Sequence, residues 1–239
     1  MLKEYKAYIF DMDGTVLNTL NDLGDAINYA FKQHGYPGDF TYDQVKYFFG
    51  SGANVAVCRA LALAHGASCE ELLQIGTEED HLTETLDPEE IRRIIETFRP
   101  YYAEHCNIKT GPYPGIPELL KRLKKVGKLS AVVSNKPDGA VQDLANELYP
   151  GLFQYAVGEK EGVRRKPAPD TVYAAMEELN VNREESVYIG DSEIDLETAR
   201  NAGLDVIAVT WGFRTEEFLR AHGADIIVDN AESIFPDDR

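Results

Sequence analysis

Short runs of apolar, β-branched or aromatic residues recur along the chain at 7–10, 129–133, 187–189, 206–209 and 226–228. Between them, 117–126, 140–148, 171–179, 193–202 and 216–221 carry apolar positions at helical spacing. Short apolar runs alternating with helices predict parallel strands buried on both faces of an α/β sheet, a Rossmann-like core. The punctuation agrees: Pro117 and Pro169 fall where a first helical position is expected, and Gly127, Gly203 and Gly223 follow last turns. From Thr15 to about Leu86 the pattern changes, because helical stretches at 20–32 and 53–64 follow one another with no convincing strand between them. The expected organisation is a core of residues 1–16 and 91–239 interrupted by a helical domain at 17–90. No internal repeat or low-complexity segment intervenes.

With 239 residues, of which 44% are hydrophobic, the chain can supply a core and a smaller accessory unit. Lysine and arginine number 24 against 41 aspartates and glutamates, a formal net charge of −17. Such a surface repels nucleic acid and anionic lipid, so neither is an expected partner. Any anionic ligand must be held by local cations or a metal against the overall field. Cys58, Cys69 and Cys106 form none of the close pairs of a zinc or redox motif, which points to a reducing, cytoplasmic compartment. The first six residues are polar and charged, and the apolar stretch behind them ends at Asp11, so neither a signal sequence nor a membrane span is expected.

Polar clusters close three of the predicted strands: Asp11-Met12-Asp13-Gly14, Ser134-Asn135-Lys136 and Gly190-Asp191-Ser192-Glu193-Ile194-Asp195. In an open parallel sheet the carboxyl ends of strands gather along one edge, where ligands bind. Asp11 and Asp13, two residues apart at a strand end, can face one site, and Gly14 permits a tight turn beside them. Paired carboxylates repel unless a divalent cation relieves them; one can then act as nucleophile and the other as acid and base. Taken alone, the tetrapeptide reads first as an Asp-Gly turn, and Ser134-Asn135 as a turn or cap. Ser134 and Asn135 suit phosphate oxygens without adding negative charge. Arg164-Arg165-Lys166-Pro167-Ala168-Pro169 is the most basic short segment, in which stiffening prolines can hold Lys166 toward a phosphoryl group, or which is simply a solvated loop. Asp191 offers a further oxygen ligand for magnesium. Asp195 fits both a helix capping box and a supporting place in the site. Together these residues describe phosphoryl transfer.

Asp11-Met12-Asp13-Gly14-Thr15, Ser134, Lys166-Pro167 and Gly190-Asp191 through Asp195 resemble, in order, the four motifs of the haloacid dehalogenase-like hydrolase superfamily. The resemblance implies that Asp11 attacks phosphorus, that Asp13 protonates the leaving oxygen and later activates water, and that Ser134 and Lys166 bind the transferring group. It implies Mg2+ held by the Asp11 carboxylate, the Asp13 backbone carbonyl and Asp191, with Asp195 in support. The superfamily's carbon-halogen hydrolases lack the second aspartate, so Asp13 favours phosphate chemistry. The inserted helices resemble the small cap of the superfamily. Within them the glycines of Phe49-Gly50-Ser51-Gly52-Ala53-Asn54 let backbone N–H groups approach a small anion, unless the segment is an ordinary helix-helix turn. That loop, Arg59-Ala60-Leu61, Ser134-Asn135-Lys136-Pro137 and Trp211-Gly212-Phe213-Arg214 are similar to phosphoglycolate phosphatases, so the expected ligand is a small phosphorylated metabolite such as 2-phosphoglycolate. The same core serves β-phosphoglucomutases, pyrophosphatases and nucleotidases. A phosphoreceiver signalling domain shares the aspartates, hydroxyl and lysine, but chain length and the helical insertion argue against it.

Overall fold

A computed structural model describes residues 3–235. The chain opens with β1 (Ala7–Phe10) and a short β2 (Leu17–Asn18), then runs through α1 (Leu20–Gln33), α2 (Tyr42–Phe48), α3 (Ala53–Ala64), α4 (Cys69–Leu72) and α5 (Pro88–His105). It returns through β3 (Gly111–Pro112) and alternates α6 (Ile116–Lys125), β4 (Leu129–Pro137), α7 (Asp138–Leu148), β5 (Tyr155–Glu159), α8 (Asp170–Glu178), β6 (Ser186–Gly190), α9 (Glu193–Ala202), β7 (Asp205–Val209), α10 (Glu216–Ala221) and β8 (Ile227–Val228).

Six strands form a parallel sheet in the order β5-β4-β1-β6-β7-β8, while β2 and β3 pair separately and antiparallel. Alternate residues of each strand face opposite sides. Tyr8 and Phe10 of β1, with Val132, Val187 and Ile189, pack on Ile116, Leu119, Leu120 and Leu123 of α6 and on Val141 and Leu144 of α7. Ala7 and Ile9, with Ala131, Val133 and Tyr188, pack on Val172 and Ala175 of α8 and on Ala199 and Ala202 of α9. The expected α/β architecture is therefore observed, with the central strands buried on both faces.

The chain divides into two compact units, one reaching to Asn18 and resuming at Gly111, the other spanning Thr19–Thr110. The second unit corrects the expected boundary near residue 90. Asp87 caps α5 through the Glu89 N–H at 2.9 Å, and the helix continues to His105 with Ile94 and Phe98 buried, so a break at 90 would sever one helix. At the far end of the unit, the buried Asp22 of α1 accepts the N–H groups of Ile108, Lys109 and Thr110 at 2.8–3.1 Å.

Two sequence expectations shift locally. Pro169 stands one residue outside α8, as its cap. Ser134-Asn135-Lys136 lies inside β4, which runs on to Pro137. Among the described residues no helix is long and apolar enough to cross a membrane, and the three cysteines are unpaired.

Candidate active site

The register of the sheet sets the site. Phe10 of β1 lies level with Val132 of β4 and with Ile189 of β6, so Asp11, Val133 and Gly190 each stand one residue further on, with Asp191 directly after β6. The Asp11 N–H still donates to the Ile189 carbonyl at 2.9 Å, which extends the ladder to the carboxylate itself. The chain then turns sharply, the Met12 carbonyl accepting N–H groups from Thr15, Val16 and Leu17. Gly14 makes that turn at φ +90°, and a Cβ there would overlap the Asp191 carboxylate. Gly212 presses on Asp191 from another loop and is equally unable to carry a side chain. Thr15 Oγ1 donates to Asp191 Oδ1 at 3.0 Å, and the Phe213 N–H to Oδ2 at 2.7 Å.

Lys166 is buried, and its ammonium donates to Asp11 Oδ1 at 2.6 Å, to Asp195 Oδ1 at 2.9 Å and to the Tyr188 hydroxyl at 3.0 Å. Three donors on three acceptors hold it as a fixed cation. Tyr188 in turn donates to Asp195 Oδ1 at 3.1 Å. The other Asp195 oxygen accepts the N–H groups of Asp191 and Ser192 and the Ser192 hydroxyl. Asp195 therefore caps α9 and braces Lys166 at once. The rest of the basic loop is turned to solvent, with Arg164 bridging to Asp170 at 2.9 Å and Arg165 exposed.

On the other side of Asp11, Asp13 receives the ammonium of Lys136 at 3.0 and 3.3 Å. Ser134 is buried, its hydroxyl accepting the Lys136 N–H at 3.2 Å. Asn135 Nδ2 donates to the Lys166 carbonyl at 3.1 Å, linking β4 to the lysine loop.

Negative charge exceeds local compensation. Burial, reinforced by the charges of Asp195 and Asp191, raises the Asp11 carboxyl well above the usual carboxylate range despite Lys166. Burial and Asp195 push Asp191 up to about 7, against the Phe213 N–H and the buried Arg214. For Lys166, burial opposes the charge, but Asp11 and Asp195 outweigh it and hold its pKa well above the ordinary value. Asp11, Asp191 and Asp195 offer oxygens within 4.8 Å of one another, all hard donors of the kind magnesium takes. Each Asp195 oxygen accepts two or more hydrogen bonds, whereas each Asp191 oxygen accepts one and Asp11 Oδ1 accepts one, which makes Asp11 and Asp191 the carboxylates better suited to an ion. The residues present fit a divalent cation.

A pH dependence follows. With pKa values raised on folding, Asp11 and Asp191 retain protons that the unfolded chain releases, so stability from this pair falls as pH rises from the ordinary carboxylate range through about 7. A cation would remove that penalty at high pH and would compete with protons at low pH. Thermal unfolding with and without magnesium is expected to show an upward shift of about 5 °C at pH 8 that vanishes toward pH 5. An equal shift at both values would sink the assignment.

Of the residues singled out from sequence, Asp11, Lys166, Asp191 and Asp195 form one buried cluster, with Asp13 on the adjoining β1 loop and Ser134 and Asn135 at the end of β4. Gly50, Ser51 and Gly52 belong to the second unit, where both glycines take positive φ and Gly52 caps α3. Sequence reasoning did not assign Tyr188, Thr15 or the Phe213 N–H to the site. Tyr188 carried a signal, since a tyrosine inside a strand buried on both faces must find a partner for its hydroxyl. Thr15 and Phe213 lie within stretches that carry the family resemblance, but their bonds to Asp191 join loops distant in sequence.

The haloacid dehalogenase-like hydrolase family model matches residues 8–209. That match defines the class: the chain belongs to the haloacid dehalogenase-like hydrolase family. A solved structure of a candidate phosphoglycolate phosphatase from Lactobacillus delbrueckii subsp. bulgaricus superposes with a TM-score of 0.95 at 55% identity, covering 97% of both chains. The N-acetylmuramic acid 6-phosphate phosphatase of Pseudomonas aeruginosa is 32% identical over 96% of this chain and 92% of its own. The phosphoglycolate phosphatase of Pasteurella multocida is 32% identical over 89% of this chain and 88% of its own. Within the family the chain is an enzyme of the phosphatase kind.

Proposed function

We propose that the protein is a magnesium-dependent phosphomonoesterase working through an aspartyl-phosphate on Asp11, and that its substrate is 2-phosphoglycolate or a similar short phosphorylated acid of the cytoplasm. The observation that carries this reading is the buried Asp11 carboxylate, held at 2.6 Å by Lys166 and flanked by a second, more exposed aspartate two residues on. Asp11 attacks phosphorus and the bond to the ester oxygen breaks, while Asp13 gives that oxygen its proton. Water then attacks the same phosphorus, passing a proton to Asp13; inorganic phosphate leaves and the Asp11 carboxylate is restored. Lys166, its three N–H groups engaged by Asp11, Asp195 and Tyr188, acts on the phosphoryl group as a fixed positive charge, and the Ser134 hydroxyl donates to a phosphoryl oxygen. Magnesium, bound by the Asp11 carboxylate, the Asp13 carbonyl and Asp191, would neutralise charge shared by the carboxylates and the phosphoryl group.

The relatives support the substrate class, because the activities that name them both concern phosphorylated carboxylic acids. In the second unit, Gly50, Ser51 and Gly52 are the candidate residues for binding a small anionic group through backbone N–H groups. The test is phosphate release from a panel of phosphomonoesters with magnesium and with a chelator. The expected result is magnesium-dependent release, fastest from short phosphorylated acids. No release from any ester would overturn the activity, and a flat profile would overturn the substrate.

A further inference from the structure

We propose that Lys136 recognises a second negative charge on the substrate, a carboxylate carried by the leaving group close to the ester oxygen. The inference rests on the reading above, in which Asp13 meets that oxygen.

The lysine is placed by an irregularity of the sheet. Up to Val133, β4 pairs in step with β5, Val133 lying opposite Val157; the next pair joins Pro137 to Glu159. Three residues of β4, Ser134 to Lys136, therefore face Gly158 alone. Gly158 has no room for a side chain, because a Cβ would overlap the Lys136 carbonyl and the backbone of Asp138. The slip forgoes ladder hydrogen bonds and crowds two strands, and it delivers a lysine that is only 4% exposed to the side of Asp13. A lysine is ordinarily among the residues least often buried.

Lys166 and Arg214, the other buried cations of this unit among the described residues, pair with carboxylates other than Asp13. Lys166 spans Asp11 and Asp195, and Arg214 holds Glu193 through two bonds of 2.8 and 3.0 Å. Among the described residues of this unit, Lys136 is the buried cation bonded to Asp13, the residue assigned to the ester oxygen. Through Asp13 its ammonium stands two hydrogen-bond lengths, about 6 Å, from that oxygen. A carboxylate one carbon from the ester oxygen falls within this reach and offers Lys136 a charged partner as Asp13 turns to the leaving group. A hydroxyl in the same position offers the ammonium no opposite charge, and the difference is selectivity.

The experiment compares 2-phosphoglycolate with 2-hydroxyethyl phosphate, in saturating magnesium, for the wild type, Lys136→Met, Lys136→Gln and Lys136→Arg. Circular dichroism identifies variants that fold; glutamine, which keeps a donor toward Asp13, carries the test if methionine does not fold. The wild type is expected to favour 2-phosphoglycolate in kcat/KM. The uncharged variants are expected to lower that preference by about tenfold or more, and arginine to keep it. Uncharged variants that slow both substrates alike, with the preference intact, would overturn the proposal and make Lys136 a support for Asp13 alone. A wild type indifferent to the carboxylate would overturn the phosphorylated-acid reading and this inference with it.

Discussion

Replacing Asp11 by asparagine is expected to reduce phosphate release at least about a thousandfold while leaving the melting temperature unchanged or higher. The two halves of that result have one cause. Asparagine keeps the shape of a side chain that is 7% exposed, so the packing at the end of β1 is preserved, but an amide oxygen does not form the acyl phosphate. The carboxylate is also a burden on the fold. Its raised pKa, from burial and from the charges of Asp195 and Asp191, means that ionised Asp11 is less comfortable in the folded protein than in the unfolded chain. In metal-free protein at pH 8 the asparagine variant should therefore melt at or above the wild-type temperature, and magnesium should stabilise it less. Phosphate assays and thermal denaturation of the same preparations check both halves. Release at the wild-type rate would remove Asp11 as nucleophile. A lowered melting temperature would mean that lost activity reports a damaged fold.

Why so much of this site could be read before the fold was known lies in the topology. A parallel sheet brings the carboxyl ends of β1, β4 and β6 to one edge whatever lies between them in sequence, so polar clusters after apolar runs converge. β1, β6 and β7 were legible within a residue at each end because both faces are buried and the runs are uniformly apolar. β5 was not. Tyr155-Ala156-Val157-Gly158-Glu159 is an edge strand, only half-buried, and contains a glycine that the slip of β4 requires. α2 was hidden in the stretch read only coarsely; α5 lies beyond it and was missed, with Pro100 in its interior and charged residues along its exposed face. In the site, identity was legible and partnership was not. Lys166 was recognisable beside its prolines, but its three bonds depend on Tyr188 and Asp195, and the pairing of Lys136 with Asp13 crosses more than a hundred residues.

Those partnerships make Lys166 the residue whose loss should be felt most widely. In Lys166→Met the ammonium disappears from between Asp11 and Asp195, leaving two buried carboxylates with no cation between them. Removing one partner of a buried ion pair costs about 3–5 kcal/mol, because the remaining charge is neither solvated nor compensated. The variant is expected to lose nearly all phosphate release and to be destabilised by an amount of that order at pH 8. The sign of the pH dependence separates this cause from simple loss of packing. Without Lys166 the opposing charge that holds the Asp11 pKa down is gone, so the carboxyl takes up its proton at still higher pH in the folded state. Acidification from pH 8 toward pH 5 should then narrow the stability gap to the wild type, whereas a packing defect would leave it constant. Asp11→Asn combined with Lys166→Met supplies a second check. If the destabilisation comes from repulsion between Asp11 and Asp195, the double variant should be more stable than Lys166→Met alone, and denaturant titrations of all four proteins measure that coupling. Strict additivity of the two substitutions would remove the Lys166 ammonium as the group that holds these carboxylates together.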